Sequence, residues 1–91
     1  MSGNPITVAF VCVENAGRSQ MAAAFAERER VRRGIDSHID IRKGGTDPAD
    51  TVHEEVVDAM AELDFDISEE TPRSIPRDEL LKVDIVVTMG C

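Results

Sequence analysis

Ile6-Thr7-Val8-Ala9-Phe10-Val11 is a nearly unbroken run of apolar and β-branched residues that ends at Cys12. Such a run predicts a short strand buried on both faces, because a strand with one wet face alternates polar with apolar positions. From Arg18 to about Arg33 the spacing turns helical, with Met21, Ala22, Phe25 and Ala26 on one face, Glu27 to Arg30 as a solvated turn and Gly34 as the stop. Ile39-Asp40-Ile41-Arg42 predicts a second strand, and Gly44-Gly45-Thr46-Asp47-Pro48 a turn after it. Val52, Val56, Ala59, Met60 and Leu63 share one helical face between about Asp50 and Leu63. Asp64 to Pro72 reads as a connection, Pro76 to Leu81 as a short helix with proline in its first turn, and Val83 to Met89 as a third buried strand.

Strands that alternate with helices imply right-handed crossovers and a parallel sheet covered on both faces, an α/β fold in three αβα layers. A chain of 91 residues supports one core, so residues 1–91 are expected to form a single domain. No internal repeat, low-complexity tract or linker interrupts it.

Charge narrows the setting. Eighteen acidic residues against ten basic ones give a net charge of -8, and Lys43 and Lys82 are the lysines among them. A densely carboxylated surface suits a salt-rich, halophilic cytoplasm, where screening relieves self-repulsion; an acidic mesophilic protein is the plainer alternative. The arginines from Arg28 to Arg33 are interleaved with Glu27 and Glu29, which argues against a nucleic-acid footprint. No apolar run approaches bilayer length and the first residues lack the basic region of a secretory signal, so a cytoplasmic protein without membrane contact is expected. That compartment keeps thiols reduced, which makes Cys12 and Cys91 candidates for reactive groups. His38 and His53 stand at no recognised ligand spacing, so no metal and no cofactor is expected.

The candidate chemistry follows the first strand. Cys12-Val13-Glu14-Asn15-Ala16-Gly17-Arg18-Ser19 lies between strand and helix, at the strand end where doubly wound sheets bind ligands. A loop there can aim backbone N–H groups at a tetrahedral anion, aided by the free N–H groups and positive dipole end of the helix. Ala16 and Gly17 are small enough to let the backbone close in, Asn15 tolerates a left-handed conformation, and Arg18 offers a planar fork to two anion oxygens. The same surroundings favour a thiolate at Cys12. Ser19 either donates a hydrogen bond to that sulfur or caps the helix.

With those residues in view, Phe10 to Ala22 resembles the low-molecular-weight protein tyrosine phosphatase superfamily, and Arg18-Ser19-Gln20-Met21-Ala22 is most similar to its thiol-coupled arsenate reductase branch. The resemblance continues through Phe65-Asp66-Ile67-Ser68 and Asp84 to Cys91. It implies a phosphatase-like parallel sheet of strand order 2-1-3, with Cys12 as nucleophile, Val13 to Arg18 as anion loop, Ser19 as its partner and Cys91 as the resolving thiol. The implied substrate is arsenate, phosphate or a phosphotyrosine-like anion, and the implied reductant is thioredoxin or a small thiol acting on a Cys12–Cys91 disulfide. With strand order 2-1-3, both cysteines follow the ends of neighbouring strands about 4.8 Å apart.

Family members carry a later Asp-Pro loop with a general acid, a fourth strand and a closing helix, none of which these residues supply. Poor phosphatase turnover is therefore expected, and Asp47-Pro48 is read as a turn. The third strand becomes a sheet edge beside uncovered apolar surface, which a homodimer or completion by another chain would cover. Three readings fit: an arsenate reductase or cysteine phosphatase, a non-catalytic phosphate-binding module, or a fragment of a longer phosphatase. Retained thiol reactivity separates the first from the second.

Overall fold

The computed structural model describes residues 5–89. Cys91, the expected resolving thiol, lies outside the described residues. Six elements follow in the order β1 (Ile6–Cys12), α1 (Arg18–Arg32), β2 (Ile39–Gly45), α2 (Glu54–Glu62), α3 (Arg77–Leu80) and β3 (Ile85–Thr88). The strands form one parallel sheet of order β2-β1-β3, the expected order.

The pleat of β1 divides the core. Ala9 and Val11 point to one face, where they are buried against Ile75, with Leu80 of α3 and Val83 beside them. α1 packs on β1 and β2, and its Met21 and Ala24 join Val52, Val56 and Met60 of the α2 region together with Phe65 and Ile67. Helices thus flank the sheet, as α/β packing requires.

Several elements differ from the periodicity reading. β2 runs on through Gly44 and Gly45, which were expected to turn, because residues 73–75 pair with its end: Gly45 N–H donates to Arg73 O at 2.9 Å and Ile75 N–H to Gly45 O at 3.3 Å. α2 starts at Glu54 rather than near Asp50, since the backbone of residues 46–53 is engaged elsewhere. Pro76 caps α3 from outside rather than sitting in its first turn, and β3 spans 85–88 rather than 83–89.

α1 keeps its predicted limits to within a residue, with Gly34 at φ 69° as the stop. Its buried residues, however, are Ser19, Gln20 and Ala23 instead of Met21, Ala22, Phe25 and Ala26. Phe25 sits at the margin, edge-on to Phe65 at 4.9 Å, with the Arg28 guanidinium 4.3 Å from the Phe65 ring. Arg30, expected in a solvated turn, reaches inward to the Asp36 and Ile39 carbonyls at 2.8 and 2.7 Å.

β1 was expected to be buried on both faces, and β3 to be a buried strand left at the sheet edge beside uncovered apolar surface. Ile6 is 50 % exposed and all four β3 residues are exposed, because β3 is the sheet edge and no described element covers its far side. Among the described residues no helix is long and apolar enough to cross a membrane.

Candidate functional site

β1 delivers Cys12 to the C-terminal edge of the sheet, where its side chain is 5 % exposed. The chain then loops through Val13 to Gly17 and enters α1 at Arg18. Asn15 adopts φ 52°, the left-handed turn its residue type permits, and is fully buried. That turn brings the Asn15 N–H to the sulfur as a donor at 3.1 Å, and the Ser19 hydroxyl lies 2.9 Å from it. Asn15 Nδ2 in turn donates to Ser19 Oγ at 2.8 Å, and an ionised Cys12 would accept the Ser19 proton. Gly17, not Ser19, is the N-cap of α1, so the capping alternative for Ser19 is excluded.

Two residues that pattern reading passed over hold Asn15 in place. Gln20 is fully buried and its Nε2 donates to Asn15 O at 2.9 Å and to Asn15 Oδ1 at 3.2 Å. Arg73 N–H, 58 residues along the chain, donates to the same Oδ1 at 3.1 Å. Gln20 was legible only as part of the Arg18-Ser19-Gln20 resemblance, and no local signal marks Arg73.

The outer side of the loop is strapped by residues 46–53. Cys12 O accepts from Thr46 N–H, Val13 O from Asp47 N–H, Glu14 O from Ala49 N–H and Ala16 O from His53 N–H, all at 2.8–3.1 Å. Asp47-Pro48, expected as a turn, leaves a bend at Thr46 and Asp47 for irregular backbone within the strap. These bonds, with that from Gln20 to Asn15 O, give every carbonyl from Cys12 to Ala16 a partner within the fold. Close approach is essential where β2 ends: a Cβ on Gly45 would overlap the Val13 carbonyl oxygen.

Above the loop opens a cleft of about 290 Å³ lined by Glu14, Gly17, Arg18, Met21, His53 and Val56. His53 Nε2 lies 3.0 Å from Glu14 Oε1 across its rim. Val13 is half-exposed, while Ala16 is fully buried beneath the loop. The structure thus gathers Cys12 to Ser19 at one strand end; His38 stays exposed in the turn before β2. Among the described residues no group of histidines, cysteines and carboxylates could hold a metal.

Behind the loop, Glu79 of α3 bridges Arg73 at 2.7 Å and Arg42 of β2 at 3.3 Å. The Arg73 hydrogen bond, with Arg42 adding to it, holds the Glu79 carboxyl below its ordinary value of 4.5 against an opposing cost of burial.

A family model described as low molecular weight phosphotyrosine protein phosphatase matches residues 7–91. The chain is 63 % identical over 82 residues to a Halobacterium salinarum protein named "Putative arsenate reductase", covering 90 % of this chain and 58 % of that one. It is 35 % identical to Arsenate reductase 1 of Bacillus cereus, covering 94 % of this chain and 60 % of that one. The thioredoxin-dependent arsenate reductase of Corynebacterium glutamicum superposes with a TM-score of 0.82 at 33 % identity, over 100 % of this chain and 43 % of that structure. The chain thus spans about six tenths of the length of these two curated relatives. On the family match, the shared sheet order and the loop at its strand end, this chain belongs to the low molecular weight phosphotyrosine protein phosphatase family.

Proposed function

We propose that this chain carries the oxyanion site of an arsenate reductase, with Cys12 as the nucleophile. The observation that carries the reading is the convergence of Ser19 Oγ and Asn15 N–H on the Cys12 sulfur, since two donors stabilise negative charge there. The inner N–H groups of Val13 to Gly17 and the Arg18 guanidinium bind the anion, aided by the N-terminus of α1. The thiolate attacks arsenate to form a sulfur–arsenic bond as one arsenic–oxygen bond breaks, its electron pair leaving with the oxygen, which takes up protons to depart as water. A second thiol then attacks the Cys12 sulfur, the electron pair of that bond passes to arsenic, and arsenite leaves behind a disulfide. Cys91 is the proposed second thiol, and thioredoxin or a small thiol restores the reduced state. A cytoplasmic, salt-rich setting agrees with a chain of two cysteines and a net charge of -8.

The test counts free thiols and measures intact mass in high salt before and after arsenate, with arsenite quantified, for the wild type, Cys12→Ser and Cys91→Ser. An intramolecular disulfide with one arsenite per chain, lost in both variants and slowed by phosphate, is expected. If both thiols stay free, the reductase reading fails.

A second reading, hydrolysis of a phosphate ester, is favoured by the cleft beside the loop, which exceeds the size of an inorganic oxyanion. Turnover of an aryl phosphate without arsenite formation would select it.

A further inference from the structure

Which way the Asn15 amide faces decides what the Ser19 hydroxyl can do for the Cys12 sulfur. Asn15 Nδ2 donates to Ser19 Oγ at 2.8 Å, while Oδ1 accepts from Gln20 Nε2 at 3.2 Å and from Arg73 N–H at 3.1 Å. A reversed amide would set donor against donor at both of the latter contacts, and would offer Ser19 an acceptor that draws its proton away from the sulfur. Of the two groups that prevent the reversal, Gln20 is fixed by its place in α1. Arg73 is exposed and belongs to no helix or strand, so its N–H needs another anchor.

That anchor has two parts. The backbone of residues 73–75 follows the end of β2, with Arg73 O accepting from Gly45 N–H at 2.9 Å and Ile75 N–H donating to Gly45 O at 3.3 Å. The Arg73 guanidinium then donates to Lys43 O at 3.1 Å and, through both terminal nitrogens, to the Glu79 carboxylate at 2.7 and 3.4 Å. A two-pronged grip of this kind fixes direction as well as distance. Glu79 is held from its other side by Arg42 of β2 at 3.3 Å, and Leu80 seats α3 against Ala9, Val11 and Ile75. The other charged groups nearby are Asp40, which shares Arg42, and Arg77 and Asp78 in α3; the loop itself carries Glu14 and Arg18.

We propose that Glu79 is a positioning residue for the reactive sulfur: through the Arg73 guanidinium it fixes the Arg73 N–H on Asn15 Oδ1, and so keeps the Ser19 hydroxyl available to Cys12. The proposal rests on Cys12 being the nucleophile. Positioning differs in sign from a direct effect of charge. Glu79 is an anion, so by charge alone its removal makes Cys12 ionise at lower pH, whereas loss of its positioning makes Cys12 ionise at higher pH. Arg73 does not separate the two, because loss of its positive charge and loss of its grip act in the same direction.

The test measures iodoacetamide labelling of Cys12 against pH in the full chain, Glu79→Gln, Arg73→Ala and the double variant. Labelling is read at the Cys12 peptide by mass spectrometry, so Cys91 does not contribute. All four proteins are compared at the lowest KCl concentration at which the wild type melts cooperatively, where a surface ion pair is least screened, and well below their melting temperatures. No arsenate is present, so the result is independent of which anion the site transforms. The labelling midpoint should rise in Glu79→Gln by about half a pH unit or more, with labelling about threefold slower at pH values below both midpoints. Arg73→Ala should raise it at least as far, and the double variant no further than Arg73→Ala, because the two residues act in series. A Glu79→Gln midpoint that is unchanged or lowered, beside a wild-type midpoint below the ordinary thiol value, overturns the proposal whatever happens to the melting temperature. Additive shifts in the double variant overturn it as well. A wild-type midpoint at the ordinary value of about 8.5 overturns the reading of Cys12 as an activated nucleophile, and this proposal with it.

Discussion

The sulfur of Cys12 is governed by contacts a few ångströms long. Ser19 Oγ at 2.9 Å is a hydroxyl donor to a group that carries charge when ionised, a bond worth about 1.5–3 kcal/mol. Ser19→Ala should therefore slow iodoacetamide labelling of Cys12 at neutral pH by about tenfold or more, since about 1.4 kcal/mol corresponds to one decade; an unchanged rate would show that the hydroxyl does not stabilise the thiolate. Gln20 acts one step further away, through Asn15. Truncating it to alanine leaves buried polar groups of Asn15 short of a donor, a change that costs about 1–3 kcal/mol. Thermal unfolding should register that loss, and labelling should slow because the left-handed turn at Asn15 is no longer pinned.

At the scale of elements, the loop depends on how closely β2 and the segment before α3 approach it. Gly45 meets the Val13 carbonyl, and backbone cannot swing aside as a side chain can. Gly45→Ala should destabilise by about 1–3 kcal/mol and disturb anion protection of Cys12, whereas overpacking that is absorbed elsewhere would leave both untouched. Glu79 ties α3 to β2 through Arg42 and to Arg73, whose N–H braces Asn15. Its carboxyl is held below the ordinary value, so the folded state binds this proton less readily than the unfolded state does. The resulting stability is present above pH 4.5 and is lost as pH falls through the depressed value. Glu79→Gln should cost about 0.5–1 kcal/mol at pH 7, in keeping with a largely surface pair, and nothing once the wild-type carboxyl is protonated. Urea midpoints at pH 7 and at a pH low enough to protonate the lowered carboxyl measure the difference, and an equal loss at both would exclude the ion pair as its source.

Across the whole molecule two features act together, the net charge of -8 and the uncovered β3 edge. Raising salt from 0.1 to 1 M shortens the screening length from about 10 to about 3 Å and so removes most self-repulsion. The melting temperature should climb over that range in KCl, and a flat or falling curve would mean that the ion pairs lost to screening outweigh the repulsion. Ile85, Val86 and Val87, between 36 and 50 % exposed, lie along β3, which pairs only with β1 among the described residues. Relief of repulsion and exposed apolar edge both favour association, so sedimentation should show the weight-average mass rising with salt.

The order of strands and helices, the place of the Cys12–Ser19 loop between β1 and α1 and the left-handed position at Asn15 were all legible in the chain itself. Each depends on residues within a turn or two of one another: an apolar run makes β1, helical spacing makes α1 and α2, and a Cys-X5-Arg-Ser segment between strand and helix makes the loop. Burial was read less well, since whether Ile85 or Phe25 is covered depends on what packs over it. Only the tertiary structure decided which distant groups reach the loop. Arg73 braces Asn15 across 58 residues and His53 meets Glu14 across 39. The strap of residues 46–53 likewise displaced the predicted start of α2. Those encounters follow from the crossover geometry of the parallel sheet, which brings the ends of β1 and β2 side by side, and no local preference of histidine or arginine encodes them.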